Sequence, residues 1–459
     1  MNMITLLIVS LFFIWNGRAQ GEHQTLNDFL LGKKSLGIAT GTAIILVYWI
    51  TGNTLLAAPE AVYQYGILGD IGYALMGGVG LLVFAPVAKA IKTNYKNVAS
   101  IGDFFYQKYQ SITLKYLLIV MTSFHLIGII ATQAIGGGKI IEYSSHLPYE
   151  LSILFVFLTA TLSFLFGGFQ SIVRVGLIQV MVILCVALLI PPFNYLKYGA
   201  VDIYQHIKAF QPVKLDLGHG PGQYFLMGGL LSGIGAVFMD QFFWQRAHQF
   251  KKQVVAPSLS LSAVIWIFVP LSFGSLAFIV MANEMELSRT LDLIPAIVQI
   301  SEGTIIRPFL LVAVWSALIS TTGIALNSLT SLVMNYFYPA GKELTIKKAK
   351  GCMVILAFIS FIISLLADGS MLELLLFFGV VNTSVIFPTI FSLFRTTMPV
   401  FYIYMAIILA SFLGIYVYFT EGSTLAILIS GLTSSVVCIL GFLHGLIILK
   451  QDGNFSLKR

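Results

Sequence analysis

Between Arg307 and Tyr338 an otherwise apolar stretch carries Ser316, Ser320, Thr321 and Thr322, then Asn327, Ser328, Thr330 and Ser331. A side chain in contact with lipid gains nothing from a hydroxyl. Hydroxyls recurring at helical spacing therefore face protein, water or a bound ion. Ser320 and Thr321, just after Ala317, can offer two hydroxyl oxygens and a backbone carbonyl at one level, hard-oxygen chemistry suited to a small alkali cation. Taken by itself the stretch also fits the simpler role of small residues that let helices approach closely. A second stretch tips the balance. Gly41, Gly52 and Pro59 interrupt an apolar segment that holds polar Thr51, Asn53 and Thr54 at mid-depth. Such a segment leaves main-chain oxygens near Val47–Gly52 unbonded unless something accepts them. Carbonyls of Val47 and Ile50, the carbonyl of Ala317, and the hydroxyls of Ser320 and Thr321 would form a five-oxygen cage without formal charge. That cage suits a monovalent ion, because a divalent one normally requires carboxylates. Trp49, beside the break, offers a π face to an amide or ammonium solute.

The elements that must position these groups follow from composition. The chain has 459 residues, 58% hydrophobic and 10% charged, whereas soluble domains carry about a quarter charged residues. The fold class is all-α polytopic membrane protein, with no stretch long and polar enough for a second, soluble domain. Thirteen spans are expected near 2–16, 37–65, 70–91, 114–141, 151–169, 175–196, 222–245, 255–282, 308–338, 351–367, 371–394, 398–419 and 424–449. The first is read as a span, not a signal peptide, because no basic region precedes it and Arg18 follows its apolar core. With the N-terminus outside, twenty of the 26 Lys and Arg residues fall on the inner side. Among them are Lys33, Lys34, Lys342, Arg395, Lys450, Lys458 and Arg459, while Arg289 falls outside. The positive-inside rule thus predicts a multi-pass protein of the plasma (inner) membrane with an outer N-terminus and a cytoplasmic C-terminus. Basic residues spread by topology give no surface for nucleic acid, and no obligate protein partner is implied. Cys185, Cys352 and Cys438 all fall inside spans and read as packing residues.

Two spans are interrupted, five apart: the second, as above, and the seventh, expected to break among Gly228, Gly229, Gly233 and Gly235. An odd offset sends the two segments through the bilayer in opposite directions, the pattern of an inverted five-helix repeat with its site at the broken helices. The single transporter domain divides into a first span and inner loop (1–36), repeat 1 (37–196), repeat 2 (222–394) and two C-terminal spans (398–449).

Charged and ring residues add candidates. Glu60 follows Pro59 and either caps a half-helix in an outer vestibule or receives a cationic solute or proton; the vestibule role is favoured. Asp240 and Arg246 bracket the inner end of the seventh span, where they either pair in an inner gate or anchor the helix end. His125, a lone imidazole, reads as a packing residue. There is no Gly-rich phosphate loop, metal-spaced His/Cys set or Ser/His/Asp grouping, so no enzyme is indicated.

The chain resembles the sodium:solute symporter family from about Leu26 to Tyr338. The resemblance rests on Asp28–Phe29–Leu30–Leu31–Gly32–Lys33–Lys34–Ser35–Leu36, on Thr51–Gly52 followed by Pro59 and Tyr65–Gly66, and on Gly167–Gly168–Phe169 with Ile178–Gln179. Asp240–Gln241 with Gln245–Arg246, and Ser320–Thr321 with Leu326–Asn327–Ser328, complete it. Trp49 and Asp240–Gln241–Phe242–Phe243–Trp244–Gln245–Arg246–Ala247 are most similar to the urea/polyamine permease branch. The resemblance implies sodium held by Val47, Ile50, Ala317, Ser320 and Thr321. It implies a small polar solute beside the same broken helices, at Trp49, Asn53, Thr54 and Gln133. One departure stands out: a Thr-Asp pair that usually precedes the family's Ile-Gln is Val175–Gly176 here, so a carboxylate that assists sodium in many members is missing. The expectation is a secondary transporter coupling sodium influx to solute uptake. A proton-coupled carrier using Glu60 or Asp240, an uncoupled facilitator and a transporter-like sensor are the alternatives. The short tail after Lys450 leaves little room for a signalling domain.

Overall fold

The computed structural model describes residues 2–19, 25–32, 37–285, 287, 290–301, 303, 306–338, 343–367, 370–393 and 398–451. Lys33, Lys34, Ser35 and Leu36 of the motif, and Arg289, Lys342, Arg395, Lys458 and Arg459 of the topology argument, lie outside them, as do the side chains of Val175 and Lys450. A backbone in hydrocarbon must bond to itself, and among the described residues the regular elements are all helices.

The chain runs through α1 (Asn2–Ala19), α2 (Leu26–Leu31), α3 (Ile38–Trp49), α4 (Gly52–Tyr65), α5 (Ile67–Asn94) and α6 (Ile101–Tyr109). It continues through α7 (Ile112–Ser145), α8 (Tyr149–Gly167), α9 (Gln170–Tyr198) and α10 (Ala200–Phe210). It goes on through α11 (Gly220–Met239), α12 (Gln241–Gln249), α13 (Lys252–Gly274), α14 (Leu276–Ala282), α15 (Leu293–Ile300) and α16 (Ile306–Tyr336). After these come α17 (Ile346–Leu366), α18 (Met371–Thr383), α19 (Ile386–Leu393), α20 (Val400–Glu421) and α21 (Ser423–Gln451). Among the described residues eleven stretches are long and apolar enough to cross a membrane, and the bent pair α3/α4 makes a twelfth. The thirteenth expected span, α1, is apolar only over Met3–Arg18, about 24 Å of helix against a hydrocarbon core of about 30 Å.

Helix α16 is central: 89% of its apolar window is buried, against 28% for α17 and α20, whose Leu366 and Phe412 face outward. It lies against α3, α4, α7 and α9, so its hydroxyls meet the broken second span. Short helices α2, α6 and α12 gather near one end of the bundle and α10 and α15 near the other.

The break in the seventh span is not where the glycines predict it. Helix α11 runs unbroken through Gly228, Gly229, Gly233 and Gly235, and the chain turns out of the helix only at Asp240 (φ −77°, ψ 120°). A Cβ on Gly233 would collide with the Met76 carbonyl, and one on Gly235 would sit 2.6 Å from the Asn382 backbone. These glycines let α11 touch α5 and α18 closely, which is the packing role. Overpacking of this kind typically costs about 1–3 kcal/mol. Gly233→Val should therefore lower the thermal midpoint of the detergent-solubilised protein in heated size-exclusion runs. Gly220→Ala, whose Cβ would meet nothing within 4 Å, should leave the midpoint in place.

Candidate ion and solute site

Helix α3 ends at Trp49, and α4 restarts at Gly52 with its axis bent by 56°. Local hydrogen bonds enforce the turn. In a continuous helix Thr51 N–H would bond the Val47 carbonyl and Gly52 N–H the Tyr48 carbonyl. Instead Thr51 N donates to Thr54 Oγ1 (3.1 Å), while Thr51 Oγ1 accepts from Thr54 N (3.0 Å), a reciprocal cap on α4. Gly52 N donates to Gln133 Oε1 on α7 (2.8 Å). The Val47 and Tyr48 carbonyls are thereby released from their helical partners. Only Ile50 and Thr51 leave helical geometry, a shorter unwound segment than the sequence implies. Ile50, buried at the break with ψ 82°, has its carbonyl rotated away from the helix direction.

The α16 hydroxyls divide into two groups. Ser316, Thr322 and Thr330 donate to carbonyls four residues back in their own helix, which is packing behaviour. Ser320 and Thr321 reach across to α3. Ser320 Oγ lies 3.1 Å from the Ala317 carbonyl and 3.5 Å from that of Val47, and Thr321 Oγ1 lies 3.4 Å from the carbonyl of Tyr48. Val47, Ala317, Ser320 and Thr321 thus come together, with Tyr48 added. Gln179 of α9 also joins, donating from Nε2 to Ser320 Oγ at 2.7 Å while its buried Oε1 has no partner. The residues fit a small monovalent cation: carbonyl and hydroxyl oxygens converge, one amide oxygen is unspent, and no carboxylate is among them. A Cβ at Gly176 would stand 2.5 Å from Val47 Cγ2. Gly176, where the resemblance leads one to expect a carboxylate, is therefore packed directly against Val47, whose carbonyl Ser320 approaches.

Beside the break lies a cavity walled by Trp49, Tyr73, Trp266 and Phe378 and given polarity by Asn53, Thr54, Thr132, His125, Ser232 and Asn382. Trp266 Nε1 donates to the Trp49 carbonyl (2.7 Å), Trp49 Nε1 to the Gly77 carbonyl (3.2 Å), and the Trp49 ring stands edge-on to Phe243. The indole is held by three elements, leaving its free surface to the cavity. Asn53 Nδ2 donates to Thr132 Oγ1 (2.8 Å), and its buried Oδ1 has no partner. Of the four expected solute residues, Trp49, Asn53 and Thr54 line the cavity. Gln133 does not: its amide oxygen is taken by Gly52 N–H and shapes the break.

The charged candidates are placed differently from the sequence reading. Asp240 and Arg246 form no ion pair. Asp240 caps α12, its Oδ1 accepting from Phe242 N (2.8 Å), while Oδ2 accepts the Tyr48 hydroxyl and lies 3.4 Å from His125 Nε2. His125 Nδ1 meets Asn382 Nδ2 at 2.9 Å. His125, read from sequence as packing, therefore stands between a buried carboxylate and the cavity. Arg246 donates to the Leu31 carbonyl (2.9 Å), with its guanidinium 4.1 Å from the Phe169 ring centre and 5.2 Å from that of Phe242. Glu60 Oε2 accepts from Leu372 N (2.9 Å) at the start of α18. It caps a helix, as expected, but a distant one, α18.

Tyr48, Thr132, Trp266 and Asn382 were missed. A polar residue at mid-span was the available signal for Asn382 and Thr132. Nothing separated Tyr48 and Trp266 from interfacial aromatics.

The sequence model described as "Sodium:solute symporter family" matches residues 29–399. The Sodium/pantothenate symporter of Escherichia coli is 28% identical over 185 residues, covering 39% of this chain and 38% of that protein. The Urea-proton symporter DUR3 of Oryza sativa is 24% identical over 299 residues, 58% of this chain and 41% of that protein. The chain thus spans about four tenths of the length of these curated relatives. Among solved structures, a Na+-coupled sialic acid symporter in a substrate-bound outward-open state overlays with TM-score 0.74 at 14% identity, over 97% of this chain and 98% of that one. That likeness shows a shared fold.

Proposed function

Because this chain belongs to the sodium:solute symporter family, we propose that it couples sodium influx to uptake of a small polar organic solute by alternating access. The observation that carries this reading is the meeting of released α3 carbonyls with Ser320 and Thr321 across the molecule. Sodium at Val47, Ile50, Ala317, Ser320 and Thr321, with Gln179 beside them, would fasten the broken span to α16. The solute would bind against Trp49, Asn53 and Thr54, with Gln133 holding the break that orients them. Fastening α3 orders the break that forms one wall of the cavity, so sodium raises solute affinity, and the solute raises sodium affinity by the same factor. Arg246 serves the inner gate by holding α2, and Asp240 serves it by capping α12. The protein lies in the plasma membrane with its N-terminus outside.

Proteoliposomes under an imposed sodium gradient, screened with labelled amides, amines, amino acids and organic acids, test this reading. Accumulation above equilibrium that collapses with the gradient is the expected result. Uptake that only equilibrates, with or without sodium, would make the protein a facilitator. A second reading is favoured by the His125–Asp240 contact and by the urea-proton relative: protons supply the coupling. A pH step with sodium absent separates the two, since it drives uptake only in the second.

A further inference from the structure

Three side chains in this protein are both charged by type and essentially buried among the described residues: Glu60, Asp240 and Arg246. Arg246 is occupied by the Leu31 carbonyl and two rings below α11. Glu60 is spent on the amino end of α18, one helical turn above Leu375 of the cavity wall. Asp240 has hydrogen-bond donors, but among the described residues no Lys or Arg pairs with it. Tyr48 hydroxyl and Phe242 N are neutral donors. His125 bridges this carboxylate to the cavity wall, its Nε2 3.4 Å from Asp240 Oδ2 and its Nδ1 2.9 Å from Asn382 Nδ2. An ionised carboxylate deep in the bilayer without a counter-charge is expensive. His125, which touches Asp240, and Asn382 both line the cavity. That cavity presents indole faces from Trp49 and Trp266, and its buried Asn53 Oδ1 is an acceptor without a donor.

We propose, resting on the transport reading above, that the cavity takes a small organic cation, an ammonium or guanidinium compound, whose charge is balanced by Asp240 through His125. Aromatic faces attract desolvated cations, the Asn53 amide oxygen accepts from a cationic N–H, and the carboxylate supplies the field. A neutral amide of the same shape would satisfy Asn53 but leave Asp240 without a counter-charge. Selectivity therefore lies in charge more than in size.

Two matched pairs test it: guanidinium against urea, planar and nearly equal in size, and choline against its carbon isostere 3,3-dimethylbutan-1-ol. The purified full-length protein at fixed sodium is assayed for ligand-dependent thermal stabilisation. Each cation should half-stabilise at a concentration about tenfold or more below that of its neutral partner in at least one pair. Asp240→Asn should reduce that preference to near unity, read as the ratio of the two half-stabilising concentrations within the variant. Equal or tighter binding of the neutral partners, no stabilisation by either cation, or an unchanged preference in Asp240→Asn overturns the proposal. Should Asp240→Asn not fold, the wild-type comparison decides alone. Sodium-driven uptake of neutral solutes without cation preference removes this inference and leaves the transport reading in place. A charge preference in binding with no sodium effect on uptake does the reverse.

Discussion

Replacing Thr321 by Ala is expected to raise the sodium concentration needed for half-maximal uptake by about ten- to a hundredfold, with Ser320→Ala close behind. The magnitude follows from what the hydroxyl does. An interaction with a charged partner is worth about 1.5–3 kcal/mol, and each 1.4 kcal/mol is a factor of ten in affinity. Thr321 Oγ1 lies 3.4 Å from the Tyr48 carbonyl and does not bond back to its own helix. Its loss therefore leaves α16 intact while removing one of few neutral ligands. The control is built into the same helix. Thr330 donates to the Leu326 carbonyl at 2.7 Å, so Thr330→Ala removes a hydroxyl of the same kind without touching α3. Its sodium requirement should match the wild type. Membrane insertion, measured on the same cells, should be equal in all three. If Thr321→Ala and Ser320→Ala both keep the wild-type sodium dependence, the α3–α16 meeting point is not the ion site.

Much of this was legible in the chain, and the reasons differ by element. The spans could be read because hydrocarbon permits only self-bonded backbone, so runs of apolar residues translate directly into helices. The bend at Ile50–Thr51 could be read because Gly52 and the Thr51/Thr54 pair mark both an end and a beginning. Gly167–Gly168–Phe169 is explained by its backbone: Gly168 adopts φ 54°, ψ −146°, a conformation open to glycine, and this brings Phe169 N to the Phe29 carbonyl at 2.9 Å.

The failures have a common cause. Glycines in α11 were read as a break although they are contacts, because the same residue serves close approach and chain reversal, and sequence does not say which. The break at Asp240 was hidden because an Asp at a helix start looks, in one dimension, like an interfacial charge. The long-range pairing of the buried charges was hidden. Asp240 to Arg246 is a plausible pair by spacing, yet Asp240 turns to Tyr48 and His125, 192 and 115 positions away in the chain. Partner choice for a buried charge is decided by which helices the fold brings together, and that information is non-local.

Arg246→Ala should release α2. The last carbonyls of this six-residue helix are each taken by a different part of the molecule: Phe29 by Phe169 N, Leu30 by Asn327 Nδ2 at 2.6 Å, and Leu31 by the Arg246 guanidinium at 2.9 Å. A helix this short has little stability of its own, so these contacts hold it. Arg246 contributes a charge-assisted bond worth about 1.5–3 kcal/mol and ring contacts worth up to about 2 kcal/mol when desolvated. Removing both should shift the docking equilibrium of α2 by at least about tenfold, and by more than about a hundredfold if the ring contacts carry their full share. Amide exchange over residues 26–32 should accelerate accordingly. Sodium-driven accumulation should fall by more than tenfold, because a gate that does not close lets solute leak back down its gradient. Arg246→Lys keeps the charge but loses the planar stacking and the fork of donors, and should fall between the two. The alternative is that Arg246 merely anchors the end of α12, and the two roles make different exchange patterns. An anchor would loosen residues 241–249 and leave 26–32 as protected as in the wild type; a gate latch would loosen 26–32 first. Unchanged exchange over α2 in Arg246→Ala, with accumulation intact, would end the latch interpretation. The closure of this face would then have to rest on Asn327 and the Phe29–Phe169 contact alone.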